Sequence, residues 1–581
     1  MTERAACPGR EAAPSILPDR LRMHGEIGRL AERIAEHWLL GLDRTNPAML
    51  GMFRERDRKP YRDLLPWSGE FAGKHATGAY YIYLLTRSQA LYDDITGFLD
   101  RLAACQAEDG YLGCFSRDCR LTGAFSQAPE VTGKTWDAWS HYHVMTGLLL
   151  WLRLTGRETY RTALLRIAEL FLRTFYGGRP RLASIGSTEM NLAPFHVFLQ
   201  IYEMTGDRRY LDFAGEIQAE FAREDAGDYL EVSRRGLEFY QGPKPRWESL
   251  HTILGLAEKY AAAGDEACLA AARQITESIL RTDVHNTGAF STNEQAVGDP
   301  FADGAIETCC AVAFDALAAR VAQITGDADL FDHLERSLYN AQMGAWHPSG
   351  AWSTYHTPMD GVRCANIQSI NFQCRPGSPM LNCCSVNAPR GVGQAAEWMF
   401  TERDGGICVN CFEPMEAEFA GITLRVEGAY PAPGDVRITV SGAERPVLIR
   451  IPGWSRRTTV AADGAVSEPE AGTFFPVPLR GGCAEATVSF DFTPRLERGG
   501  GRCAGLSSVY CGPVLYGADA TGNPDLETDR LPAVSEEDLL ASRPAAGTDE
   551  AILWRAGALT LTDFAHLGQN GAAYRTWLRT E

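Results

Sequence analysis

The chain has 581 residues, 45% of them hydrophobic and 22% charged, with a formal net charge of -18 at pH 7. That length predicts about two to four domains around a substantial core. The acidic balance argues against nucleic acid, whose phosphates want a basic face, and no run approaches the roughly 18 apolar residues of a membrane span. The opening "MTERAACPGREAAPSILPDRLRMHGEIGRL" has no apolar h-region after a basic start, and the 16 cysteines fall far below disulfide-scaffold density. The expectation is a cytoplasmic protein with reduced thiols, in which cysteine is buried filler, a metal ligand or a nucleophile.

One joint recurs through the first 400 residues. "YIYLLTRSQALYDDITGFLDRL", "LLWLRLTGRETYRTALLRIAELF", "VFLQIYEMTGDRRYLDFAGEI", "GLAEKYAAAGDEACLAAARQI" and "ALAARVAQITGDADLFDHLERSL" share one plan. An amphipathic helix ends at a short turn, where Gly supplies a left-handed C-cap and Asp or a neighbour starts the next helix. The joints fall near residues 86, 155, 205, 264 and 325, a spacing too long and irregular for an array of about 34-residue repeats. Five hairpins give ten helices, and "HGEIGRLAERIAEHWLLGL" before them and "GVGQAAEWMF" after them supply two more. Twelve helices in alternating pairs predict an (α/α)6 barrel over residues 20–400, with an open helical solenoid as the alternative.

After about residue 401 the period becomes two. "ITLRVEGAY", "DVRITVSGA", "PVLIRIPGW", "TFFPVPL" and "ATVSFDFTP" alternate apolar and polar residues between Gly, Pro and Asp turns. This predicts an antiparallel β-sandwich region over 401–581, one or two small sandwiches. Residues 519 to about 553 read as a long loop, followed by the strand-like "ALTLTDFAHLG" and a polar tail.

Thiols carry the strongest chemical signal. "DGAIETCCAVAF" places Glu307, Cys309 and Cys310 at a helix entrance. "PMLNCCSVNAPRG" sets Cys383 and Cys384 side by side among Pro379, Asn382, Asn387 and Pro389, which reads as a loop. Neighbouring side chains diverge by about 100° on a helix and 180° on a strand, so both thiols serve one site only where the backbone is irregular. Three cysteines and a glutamate suit a tetrahedral metal such as zinc. The spacing matches no zinc finger, and buried cysteine acting as a small hydrophobe is the plain alternative. "TWDAWSHYHVMTGLL" and "RWESLHTILGLAEKY" put His141, His143 and His251 near the starts of barrel helices, where residues of different hairpins converge on one mouth. Glu70, His75, Glu189, Asn191 and His196 are weaker candidates of the same kind, and Glu294 reads as a loop carboxylate, either facing a pocket or solvated.

The stretch "WSGEFAGKHATGAYYIYLLTRSQALYDDITGFLDRLAACQAEDGYLGCF", with "WSHYHVMTGLLLWL", "AIETCC", "STYHTPMDGVR", "LNCCSVNAPRG" and "LIRIPGW", resembles the β-L-arabinofuranosidase family, glycoside hydrolase family 127, from about residue 65 to the sandwich strands. The resemblance implies an (α/α)6 barrel followed by β-sandwiches and a zinc ion held by Glu307, Cys309, Cys383 and Cys384. It implies Cys383 as nucleophile, Glu294 as general acid/base, and His143, His251, His141, Tyr355 and Asn191 as candidates for binding the sugar. The expected activity is retaining hydrolysis of a non-reducing terminal β-L-arabinofuranoside or related furanoside. Alternatives are another plant-polysaccharide sugar, such as a branched acidic sugar of pectin side chains, or a non-catalytic, zinc-stabilised carbohydrate-binding protein. The partner would be a glycoside, with no nucleic acid or membrane and the oligomeric state open. Two departures bear on sugar specificity. Leu381 stands where the characterised enzymes often carry a further cysteine, and the region around Asn191 lacks an expected histidine.

Overall fold

A computed structural model describes residues 9, 11–130, 133–363, 381–524, 530–547 and 550–581. Six helices form a closed inner ring: Glu70–Thr86, Asp137–Thr155, Pro194–Thr205, Ser249–Ala263, Thr308–Thr325 and Cys383–Gly393, each packed on the next and the last on the first. Six outer helices alternate with them: Glu26–Ile34, Gln89–Ala103, Glu158–Phe175, Arg208–Ala219, Glu266–Thr282 and Ala328–Ser337. This is the expected (α/α)6 barrel.

Burial separates the two rings. Residues 137–149 are buried on every face of their inner helix, whereas Gln89–Ala103 buries only a stripe of Leu91, Ile95, Thr96, Phe98, Leu99 and Leu102. A helix apolar all round belongs inside, and one with a single apolar face belongs at the surface. Close approach within the ring needs small residues. A Cβ at Gly73 would lie 2.2 Å from the His143 carbonyl carbon, so this glycine lets the first two inner helices touch and fixes the depth of His143.

The joints behave as their residues dictate. Inner helices end on left-handed Gly156, Gly206, Gly264 and Gly326, and the following outer helices start at Asp207, Asp265 and Asp327, whose carboxylates accept backbone N–H groups. Arg87 takes the left-handed position at the first joint, with φ 53°.

One helix is not where the sequence pattern put it. "GVGQAAEWMF" supplies only the last three residues of a helix and a 3-10 turn, Gln394–Glu397, before a strand begins at Phe400. The twelfth helix is Cys383–Gly393, in the stretch expected to be a loop. Asn382 caps it by accepting the Ser385 N–H at 2.9 Å, and the Ser385 hydroxyl answers the Asn382 N–H. Asn382, which suggests a loop, acts here as N-cap, and Pro389 is carried inside the helix.

Among the described residues the β region contains three sheets. A seven-stranded sheet runs Arg20–Met23, Met415–Phe419, Ile422–Glu427, Asp435–Ser441, Ala484–Ser489, Thr459–Ala462, Ala465–Ser467. A four-stranded sheet, Thr473–Pro476, Val447–Ile451, Gly406–Val409 and Phe400–Arg403, packs on it through contacts such as Phe400 on Phe419. The third, eight-stranded sheet is built around Leu506–Cys511, Val514–Asp519 and Leu559–Asp563. Its strands Tyr574–Arg575 and Leu578–Arg579 replace the expected polar tail, with Trp577 buried beside them. Within the expected long loop, Glu536–Leu540 forms a short helix and Ala545–Ala546 and Ile552–Ala556 pair as strands. Val447–Ile451 is buried on both faces, and its Arg450 reaches Glu335 of the outer helix Ala328–Ser337 at 2.9 Å, which ties sandwich to barrel.

Candidate active site

The inner helices run parallel, so their N-terminal ends gather at one mouth. Glu307 is the N-cap of Thr308–Thr325 and Cys309 lies in its first turn. Cys383 and Cys384 are the first two residues of the neighbouring inner helix. A helix was expected to splay adjacent thiols apart. Here it does not, because Cα–Cβ bonds tilt toward the N-terminus and side chains of the first turn project beyond the helix end.

The donor atoms of Glu307, Cys309, Cys383 and Cys384 all lie within 4.8 Å of one another. Two sulfurs bound at about 2.3 Å to one tetrahedral metal sit about 3.8 Å apart, and Cys383 Sγ and Cys384 Sγ are 3.9 Å apart. Glu307 Oε1 is 3.1 Å from Cys384 Sγ and 3.7 Å from Cys383 Sγ. The set therefore fits a small tetrahedral metal ion. Cys310 stands behind Glu307, its sulfur 3.7 Å from Oε2.

Burial opposes charge throughout the cluster. It pushes Cys383 up to about 12 and Glu307 well above the usual carboxylate range, with neighbouring Cys383 and Glu294 adding to the latter. Cys309 goes the other way. Against the same burial, hydrogen bonds from Cys383 and Cys384 and the Lys74 ammonium bring its thiol down to about 6. Lys74 Nζ lies 3.9 Å from Cys309 Sγ and Asn387 Nδ2 3.5 Å. Lys74 is itself buried and paired with Glu70 at 2.9 Å, beside the rings of Trp139 and Trp247.

His143 and His251 pack on Trp139, the ring beside Lys74. Their rings are 5.4 Å apart, with Trp139 4.5 Å from one and 4.9 Å from the other. Burial holds both imidazoles well below their usual range, so both are neutral. Tyr142 Oη meets His251 Nδ1 and His196 Nδ1, each at 3.0 Å. Nε2 of His143 and of His251 are buried with no hydrogen-bond partner among the described residues, which suits binding of ligand hydroxyls. Tyr355 Oη is 3.7 Å from Cys383 Sγ.

Two expected sugar contacts are placed elsewhere. His141 is two residues from His143, a rotation of about 200° on a helix. Its Nδ1 meets the Asp137 carbonyl at 2.8 Å, its Nε2 accepts the Leu112 N–H at 3.3 Å, and its ring packs on Tyr111 and Phe171. Asn191 uses its whole amide on backbone, accepting the Trp139 N–H and donating to Thr135 and Gly186 carbonyls. Of the weaker candidates, His75 packs on Phe98 and Glu189 pairs with Lys244.

Glu294 lies in an irregular turn where Ser291, Asn293 and Glu294 all adopt positive φ, 91°, 50° and 68°. Such backbone is strained for residues with side chains and clusters at functional sites. Arg246 Nη2 holds Glu294 Oε2 at 2.8 Å. Arg246, Glu248 and Lys74 were not singled out in the sequence, and Asn387 only as a loop former. Only proximity in the fold distinguishes them from ordinary charged and polar residues.

The family model described as "Beta-L-arabinofuranosidase, GH127 catalytic domain" matches residues 38–394, and the GH127 middle-domain model matches 406–480. A "Non-reducing end beta-L-arabinofuranosidase" of Bifidobacterium longum subsp. longum is 24% identical, covering 78% of this chain and 79% of that one. A solved GH127 beta-arabinofuranosidase superposes with a TM-score of 0.78 at 18% identity over 98% of each chain. A GH127 beta-L-arabinofuranosidase from Geobacillus stearothermophilus T6 gives 0.74 at 17% identity over 97% of this chain and 100% of that one. At those identities the solved structures speak to the fold.

Proposed function

The chain belongs to the GH127 family and is a glycoside hydrolase, and from that premise we propose that it is a zinc-dependent, retaining exo-β-L-arabinofuranosidase with Cys383 as nucleophile. The observation that carries the proposal is the inequality within the donor cluster. Cys383 is 5% exposed, while Glu307 is 1% and Cys309 and Cys384 are 0% exposed. Three donor residues are sealed, and Cys383 is the one with the greatest residual exposure.

Zinc held by Glu307, Cys309, Cys383 and Cys384 would keep the thiols as thiolates at neutral pH. His143 and His251 present neutral Nε2 atoms to sugar hydroxyls, and Tyr355 stands beside the nucleophile. Glu294 gives its proton to the glycosidic oxygen while the Cys383 sulfur attacks the anomeric carbon. The C–O bond breaks, the aglycone leaves as the alcohol and a thioglycosyl-enzyme forms. Glu294, now a carboxylate, takes a proton from water that attacks the same carbon, and the sulfur departs as thiolate. Two inversions retain configuration, with sulfur in the place of the second carboxylate of ordinary retaining enzymes.

The test is turnover of p-nitrophenyl β-L-arabinofuranoside beside other furanosides and acidic sugars, with metal analysis of protein purified without chelator. About one zinc per chain and a strong preference for the arabinofuranoside are expected. Near-normal turnover by folded Cys383→Ser refutes the nucleophile, and a metal-free active enzyme refutes the zinc.

A further inference from the structure

We propose that Arg246 and Glu248 are a positioning pair for Glu294: Arg246 tethers one carboxylate oxygen, and Glu248 balances the guanidinium so that Glu294 can still carry a proton. The proposal rests on the reading of Glu294 as the acid/base.

The geometry is specific. Arg246 is bidentate on Glu248, Nε to Oε2 at 3.0 Å and Nη2 to Oε1 at 2.7 Å, and the same Nη2 donates to Glu294 Oε2 at 2.8 Å. The second hydrogen of one nitrogen is thus all that reaches Glu294, and Oε1 of Glu294 is left for the substrate. The backbone fixes the same register, since Trp247 N–H donates to the Glu294 carbonyl at 3.2 Å and Arg246 bridges to Gln295.

Charge decides the role of Glu248. An acid/base must be protonated in one step and ionised in the next. An arginine on Glu294 alone would hold it ionised, because an opposite charge at hydrogen-bond distance lowers a carboxyl by about one to three pH units. Glu248 is 1% exposed and Glu294 28%, so the guanidinium spends its bidentate face on the buried partner. One cation then faces two carboxylates, and the trio is neutral with one proton aboard. Burial lifts Glu248 to about 7 in spite of Arg246, which places this exchange in the range where acid/base catalysis operates. The other ionisable groups whose charges are felt around Glu294 are Glu307 and Cys310 at the start of the helix Thr308–Thr325, and Tyr355. Glu307 also feels the Glu248 charge, and all three groups are still present in variants of the pair.

The pH profile of kcat/KM, measured on zinc-loaded enzyme with an alkyl β-L-arabinofuranoside whose poor leaving group needs protonation, separates this role from simple packing. Glu248→Gln leaves Arg246 to Glu294 alone, and the alkaline limb should fall by about one pH unit. Arg246→Met leaves two carboxylates without a cation, and the limb should rise by a similar amount. Arg246→Lys keeps a charge without the fork and should return the limb toward wild type with kcat still reduced. Limbs that stay put, or move the same way in Glu248→Gln and Arg246→Met proteins that melt cooperatively, overturn the pairing and leave the function standing. Wild-type rates for Glu294→Gln on a poor leaving group overturn the acid/base reading and the pairing with it.

Discussion

The two ends of the inner ring are built from the same helices and do opposite things. At the floor, where the inner helices end, a cavity of about 420 Å³ is lined by Glu203, Glu258, Glu397, Arg153, Arg320 and Arg390 among polar and apolar residues. There Arg320 holds Glu258 and Glu11, each at 2.7 Å, and Tyr81 donates to Glu397. At the mouth, three thiols and Glu307 crowd together with Lys74 as the cation against Cys309, and two imidazole nitrogens lack partners among the described residues. Charge at the floor is largely balanced within the protein, whereas charge at the mouth is arranged for something that binds there. An apolar barrel wall tolerates both only because a buried polar group must be satisfied by a neighbour or by a ligand.

Substitutions should separate the ends. The largest effect is expected for Cys383→Ser, a loss of at least about a thousandfold in kcat with the melting temperature little changed, as for other nucleophile removals. Arg320→Met should do the reverse, costing about 3 kcal/mol because it strands the buried Glu258 carboxylate, with kcat per folded molecule unchanged. Denaturant unfolding and active-site titration read both quantities. Metal uptake should release protons, since Cys383 and Glu307 are held protonated by burial. Affinity in a chelator competition should therefore rise with pH, and a flat profile would break the contrast. The smallest expected effect is acid sensitivity. His75 and His196 are lowered by burial from 6.5 to about 4, so the unfolded chain binds more protons between those values. Their contribution is complete above pH 6.5 and lost as pH falls toward 4, and His196→Gln should flatten that part of the stability curve.

Much of the barrel was legible because its joints obey local rules. A glycine that alone tolerates left-handed backbone, followed by an aspartate cap, marks a helix end wherever it occurs. The last inner helix escaped the same reading because Asn382 is equally good as turn former and N-cap. What distinguished the two was Ser385, three residues on, which completes a reciprocal cap. In the site, thiols are chemically distinctive, so Glu307, Cys309, Cys310, Cys383 and Cys384 stood out before their proximity was seen, and only the family resemblance set Cys310 aside. His141 and His143 could not be told apart without knowing which face of their helix turns inward. Arg246 and Glu248 carried no signal, because a charged turn before a helix is ordinary until Glu294 folds back onto it.

The strand Arg20–Met23 completes the edge of the seven-stranded sheet by pairing with Met415–Phe419, so Arg20 meets Glu418 across roughly 400 residues of chain. Every barrel helix lies between those partners in sequence. The sheet edge can therefore close only after the ring has brought its two ends together, which makes this pairing a late, high-contact-order event in folding. A chain cut after the last inner helix would keep all four donor residues and lose the clasp that reports the ring as complete.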